Sequence, residues 1–192
     1  MTTIGITGGI GSGKTIVSKV LTALGYPVYI ADLASYRLVH TNIEIMNGLT
    51  ALLGKDIYEC GILNKKLLAD SIFSDEKMRK SVNNLIHPAV MADFKEYCKE
   101  QNSPLIFIES AILFETKLNV FVDKIILVIS PLELRIKRLQ MRDNLTETEI
   151  KNRINSQMSD EEKIKLSDFV IINDEKTAVL PQIQSTLNYL LK

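Results

Sequence analysis

Residues 8–15 read GGIGSGKT and follow the short apolar run Ile4-Gly5-Ile6. Gly8, Gly13, Lys14 and Thr15 satisfy the G-x-x-x-x-G-K-[ST] spacing of a phosphate-holding loop. Each residue type answers a chemical need. Glycine permits positive φ and close backbone approach, so successive N–H groups can turn toward phosphate oxygens. The helix that follows offers its unpaired N–H groups and partial positive charge to the same anion. Lys14 is long enough to reach the β- and γ-phosphates, and the Thr15 hydroxyl is a ligand for Mg²⁺. Gly8, Gly9, Gly11, Ser12, Gly13, Lys14, Thr15 and Ile16 are therefore the expected nucleotide-binding set. Motors, switches, transporters and small-molecule kinases share this loop, so it does not by itself name a reaction.

Two further groups carry chemistry. Asp32 follows a short apolar run by two residues, where a carboxylate could take the proton of an acceptor hydroxyl attacking a γ-phosphate; the same residue type also suits a helix N-cap. Arg138 and Arg142 are four apart and share one helix face, with Arg135 three before Arg138. Guanidiniums so placed could neutralise a transferring phosphoryl group, as the lid of a nucleotide kinase does, or form a solvated basic face. A guanine-reading N/T-K-x-D is missing, since Asn173-Asp174-Glu175-Lys176 has the wrong order, and there is no serine-glycine signature loop of the transporter ATPases. A nucleotide-dependent kinase fits these residues, and a nucleotide-gated switch remains the alternative from another class.

The elements that must position these groups are legible as patterns. Apolar runs at Thr3–Thr7, Pro27–Ile30, Leu105–Ile108, Lys124–Ile129 and Phe169–Ile172 suit strands buried on both faces, and the helical stretches between them predict a parallel α/β sheet. Val17, Val20, Leu21 and Leu24 predict a first helix over Lys14–Leu24 that stops at Gly25. Thr146 with Glu149, and Ser159 with Glu162, have capping-box spacing and predict two late helix starts. Residues 31–104 contain no convincing strand: Ile43, Met46, Leu49 and Leu53 recur at helical spacing, as do Leu67, Leu68 and Ile72, and His87-Pro88 is expected to interrupt a third helix. A helical subdomain for an acceptor substrate is expected there.

Composition narrows the partners. Among 192 residues, Lys+Arg and Asp+Glu each number 23, so no global field recruits nucleic acid or an anionic membrane. No run approaches a membrane span, and the N-terminus MTTIGITGG lacks a secretory pattern, which predicts a cytoplasmic protein acting as a monomer or weak oligomer. Cys60 and Cys98 lack metal-ligand spacing and are expected to be reduced, buried structural thiols.

A resemblance then becomes specific. TGGIGSGKT, Gly25, Asp32, His87-Pro88, Leu113-Phe114-Glu115, Asp123, Arg135 through Arg142-Asp143, Ser156-Gln157, Asp168 and Asn173 occur in an order similar to that of the dephospho-coenzyme A kinase family, from about residue 3 to residue 184. The resemblance implies a P-loop kinase three-layer sandwich with a five-stranded parallel sheet, a helical substrate-binding insertion and a helical lid. It implies ATP- and Mg²⁺-dependent phosphorylation of the ribose 3′-hydroxyl of dephospho-coenzyme A, the last step of coenzyme A synthesis; a kinase for another small alcohol or nucleotide is the alternative. The boundaries it suggests are a core of residues 1–30, 105–134 and 165–192, an acceptor domain of 31–104 and a lid of 135–164. Catalytic roles then fall on Asp32, Lys14, Arg138 and Arg142, acceptor binding on Asp32, His87 and Glu109, and Mg²⁺ ligation on Thr15. Where the family often has Asp-Ala-Asp, this chain has Ile30-Ala31-Asp32, and Ser110-Ala111-Ile112 stands where many members have Pro-Leu-Leu.

Overall fold

A computed structural model describes residues 1–143 and 145–192, with Phe73 and Ser74 described through their backbone alone. Asn144, inside the expected lid, lies outside the described residues. The chain forms two compact units, residues 1–30 with 101–192 and residues 31–100.

The first unit begins with strand β1 (Thr2–Thr7) and helix α1 (Lys14–Ala23), which ends at Gly25 with φ 88°, followed by strand β2 (Val28–Ile30). The second unit holds helices α2 (Ala31–Thr41) and α3 (Ile43–Leu53), a hairpin of β3 (Tyr58–Glu59) and β4 (Ile62–Leu63), and helices α4 (Lys65–Ser74) and α5 (Glu76–Lys99). The chain then returns to the first unit with β5 (Leu105–Glu109), β6 (Lys124–Ile129), α6 (Leu132–Asp143), α7 (Glu147–Asn155), α8 (Asp160–Lys165), β7 (Phe169–Ile172) and α9 (Val179–Leu190).

The sheet order is β2-β5-β1-β6-β7, all parallel. Every residue of β5 is buried, which explains the continuous apolar run Leu105–Ile108 ahead of Glu109. Ile4 and Ile6 of β1, Phe107 of β5 and Val128 of β6 pack with Val17 and Leu21 of α1 and Ile183 and Leu187 of α9. The sheet thereby holds the residue before the glycine loop and the helix after it in one core. Both capping boxes form, Thr146 with Glu149 and Ser159 with Glu162.

Three expectations need correction. The β3–β4 hairpin contradicts the absence of strands between residues 31 and 104; its turn residues Cys60 (φ 49°) and Gly61 (φ 80°) both lie in the left-handed region that a tight two-residue hairpin turn requires. Cys60 at this turn is consequently exposed, and only Cys98 is a buried thiol. The third correction concerns Pro88, which lies inside α5 rather than interrupting it. Proline removes one hydrogen bond and costs roughly 3 kcal/mol in a helix interior. Here Val82 before Pro88, and Val90, Met91 and Phe94 after it, are buried, and α5 packs on α2, α3 and α4. That burial offsets the local cost.

Candidate functional site

The glycine loop runs from the C-terminal end of the central strand β1 into α1, the edge at which open parallel sheets bind ligands. Two glycines are required by geometry. Gly13 is the N-cap of α1 with φ 95°, and a Cβ there would strike Asn173 Nδ2. Gly8 has φ 150°, and a Cβ there would run into the backbone oxygen of Val128. No side chain caps α1, so its first N–H groups are left for an anion.

The loop's carbonyls face the other way, and each from residue 8 to residue 12 accepts from a side chain. Lys14 Nζ donates to Gly8 O at 2.9 Å and Gly9 O at 3.3 Å. Arg135 Nε donates to Ile10 O at 2.9 Å, Arg138 Nη1 to Gly11 O at 3.3 Å, and Asn173 Nδ2 to Ser12 O at 2.9 Å. Occupied carbonyls hold the peptide planes with their oxygens outward, which leaves the remaining N–H groups to converge on an anion. Two N–H groups are exceptions: that of Ile10 donates to Gln157 Oε1 at 2.8 Å, and that of Ser12 to Gly9 O at 3.1 Å.

A cavity of about 370 Å³ is lined by Gly11, Gly13, Lys14, Thr15, Arg138, Leu139 and Arg142. The two arginines differ in commitment. Arg138 Nη1 also donates to Ser130 Oγ at 3.1 Å, and Nη2 pairs with Glu175 at 3.0 Å. Arg142 forks onto Asp143 at 2.7 and 2.8 Å and is largely exposed. That hydrogen-bonded pairing raises the Arg142 pKa and lowers that of Asp143. Thr15 is exposed at the cavity wall and Ile16 is half exposed, while Ser12 is fully buried with its Oγ lacking a hydrogen-bond partner among the described residues.

The other expected residues are placed as follows. Glu109, the last residue of β5, lies in register with Ile6 of β1 and Ile30 of β2; it is buried, and its Oε2 has no hydrogen-bond partner among the described residues. Asp32 is exposed in the first turn of α2 and His87 is half-buried on α5, both in the unit of residues 31–100. Burial pushes the His87 pKa below its ordinary value, which favours the neutral imidazole. For Mg²⁺ the donor set fits: this ion keeps its waters and leans on substrate phosphates plus one or two protein oxygens. The Thr15 hydroxyl beside Lys14 meets that need, and among the described residues no cluster of three His, Cys, Asp or Glu side chains offers an all-protein cage.

Sequence reasoning left three bracing residues without a role and expected a fourth, Arg135, among the guanidiniums that meet the phosphoryl group. Arg135 is buried under the loop and pairs with Asp160 at 3.0 Å rather than joining the cavity wall with Arg138 and Arg142. Gln157 and Asn173 stand in the sequence as parts of a resemblance, without a chemical signal. Lys163 reads as one charge in the run Asp160-Glu161-Glu162-Lys163, yet it is fully buried and pairs with Glu115 at 3.0 Å.

A family model described as dephospho-CoA kinase matches residues 2–178. The dephospho-CoA kinase of Bacteroides fragilis strain YCH46 is 44% identical over 188 residues, covering 97% of this chain and 92% of that protein. Among solved structures, TT1252 from Thermus thermophilus aligns with TM-score 0.85 and 33% identity over 99% of this chain and 96% of that one. The dephospho-CoA kinase from Campylobacter jejuni aligns with TM-score 0.67 and 25% identity over 98% and 95%. The chain belongs to the dephospho-CoA kinase family.

Proposed function

From that membership we propose that this chain transfers the γ-phosphoryl group of ATP to the ribose 3′-hydroxyl of dephospho-coenzyme A, giving coenzyme A and ADP in the closing step of coenzyme A synthesis. The observation that carries the reading is the loop of residues 8–15, with its carbonyls held outward and Lys14, Arg138 and Arg142 around one cavity, in a chain of this family.

The donor's phosphates rest on the loop N–H groups and the N-terminus of α1, with Lys14 reaching their oxygens. Thr15 would hold Mg²⁺, which when bound neutralises charge on the β- and γ-phosphate oxygens. Asp32 acts as general base: one residue, Ala31, separates it from Ile30 at the end of β2, a reach of no more than about 7 Å. As the 3′-oxygen forms its bond to the γ-phosphorus, the bond from that phosphorus to the β–γ bridging oxygen breaks. The hydroxyl proton passes to the Asp32 carboxylate, and the electron pair leaves on the terminal phosphate of ADP.

Arg142, the less committed of the two cavity arginines, meets the charge that develops on the transferring group, while Arg138 holds the loop. Glu109, with a buried carboxylate oxygen lacking a partner among the described residues, would be the acceptor for a metal-bound water. Residues 31–104, including the neutral His87, form the acceptor-binding domain, and residues 135–164 serve as the lid that excludes water so that transfer outruns hydrolysis. The enzyme works in the cytoplasm as a monomer or weak oligomer.

The test is incubation with ATP, Mg²⁺ and dephospho-coenzyme A, followed by chromatography. Coenzyme A and ADP in equal amounts are expected. Phosphorylation of a different alcohol would overturn the acceptor assignment, and ADP with only free phosphate would indicate a nucleotide switch.

A further inference from the structure

The turn between α7 and α8, together with α8 itself, is fastened at four points. Gln157 Oε1 accepts from the Ile10 N–H at 2.8 Å. The Met158 N–H donates to Glu115 Oε1 at 2.9 Å. Asp160 Oδ2 accepts from Arg135 Nη1 at 3.0 Å, and the same guanidinium donates through Nε to Ile10 O. Lys163 Nζ lies 3.0 Å from Glu115 Oε1 and 3.4 Å from Ala111 O.

These contacts form a closed chain of supports. A fully buried ammonium is costly unless paired, so Lys163 strongly favours the arrangement in which Glu115 stays beside it. Glu115 in turn fixes Met158, the neighbour of Gln157. The capping box of Ser159 and Glu162 sets where α8 begins, and with it the position of Asp160 under Arg135. The result is that both polar ends of the Ile10 residue are held: its N–H by Gln157 and its C=O by Arg135. Without the Gln157 acceptor, the half-buried Ile10 N–H would lose its partner and the adjoining peptide plane could rotate toward one. Such rotation would misdirect the neighbouring N–H groups at Gly9 and Gly11.

We propose that Gln157 is a positioning residue for the phosphate loop, which sets the geometry of the site for the donor's β-phosphate through Ile10 without touching the nucleotide. The Lys163–Glu115 and Arg135–Asp160 pairs hold it in place. This inference rests on the reading of the loop as the donor site, and does not depend on which acceptor is used.

Calorimetric titration of the full chain with ADP and with AMP tests it. Gln157→Met keeps the side-chain length and removes the acceptor. The dissociation constant for ADP is expected to rise about tenfold, while that for AMP, which lacks the β-phosphate, stays within about twofold. An unchanged ADP affinity, or equal weakening of ADP and AMP, would overturn the positioning role. Wild-type protein that failed to bind ADP would instead sink the donor-site reading itself. A measurement on the wild-type chain covers the case of a variant that does not fold. Amide hydrogen exchange at Ile10 is expected to be strongly protected, and exchange at the free-peptide rate would overturn the proposal.

Discussion

The phosphate loop and the helical unit of residues 31–100 are built by opposite means. Bonds that hold the loop come from residues 125, 127, 147 and 161 positions away in the chain. In the helical unit many side-chain bonds close within three residues: Asn42 accepts from Glu44 and Ile45, Asn64 from Leu67, and Asp75 from Lys77. Arg37 with Asp93, and Tyr58 donating to Val39 O, reach further there. The difference teaches where chemical precision is located. A loop that must point several N–H groups at one anion needs its backbone fixed from outside. A helical wall needs only caps and an apolar stripe, which many sequences can supply.

The strongest challenge to this contrast is to ask whether the helical unit supplies a reacting group. Asp32→Asn is expected to lower kcat by on the order of 10² to 10⁴, with ADP affinity unchanged, because a general base acts on the acceptor and not on the donor. Wild-type turnover in that variant would leave the unit as a wall and remove the base. Lys14→Ala is expected to cost about 10² to 10³ in kcat, roughly 2.7 to 4 kcal/mol, and to weaken nucleotide binding as well, since the ammonium belongs to the loop. Steady-state kinetics with calorimetry separates the two signatures.

A smaller effect sharpens the same line. Asn42→Ala removes the cap of α3 and is expected to cost about 1 kcal/mol, lowering Tm by about 2 to 4 °C. KM for ATP should not move. A changed KM for ATP would mean that the local caps of this unit shape the donor site after all.

The mildest effect concerns pH. Burial depresses the pKa of His87 in the folded chain, so between that lowered value and the ordinary value of about 6.5 the unfolded chain binds more protons. Stability contributed by the neutral imidazole is therefore complete above about pH 6.5 and falls as the pH drops through the window below it. Urea midpoints measured from neutral to mildly acidic pH should decline less in His87→Gln than in the wild-type chain. Identical slopes would show that desolvation at this position is negligible.

What could be read from the sequence follows from the same contrast. Gly8 to Thr15 were legible because phosphate chemistry dictates residue types over a contiguous stretch, and the capping boxes at Thr146 and Ser159 because a helix start is a local event. The strands were legible as continuous apolar runs, which burial on both faces explains for β5; β7 keeps such a run although Val170 and Ile172 are exposed, so two-faced burial was not met there. The hairpin at Tyr58–Leu63 was not, because strands of two residues show no alternation. Pro88 misled because a rule about neighbouring residues was overridden by packing on three helices. Arg135, Gln157, Asn173 and Lys163 escaped for a different reason. Their roles are defined by partners more than a hundred residues away, or by burial that nothing in DEEKIK signals.

The outward-held carbonyls also set an order of events in the life of the chain. GGIGSGKT is synthesised before its supports at Arg135, Arg138, Gln157 and Asn173, which follow 125 to 161 positions after their partners in the loop. Its strand cannot pair on either side until β5 and β6 have been made. Closing contacts this distant in the chain is slow relative to forming a helix. A nascent or truncated chain that displays the phosphate motif thus lacks its full set of supports until Asn173 has been made. The arrangement keeps a half-made chain from engaging the nucleotide that the finished one requires.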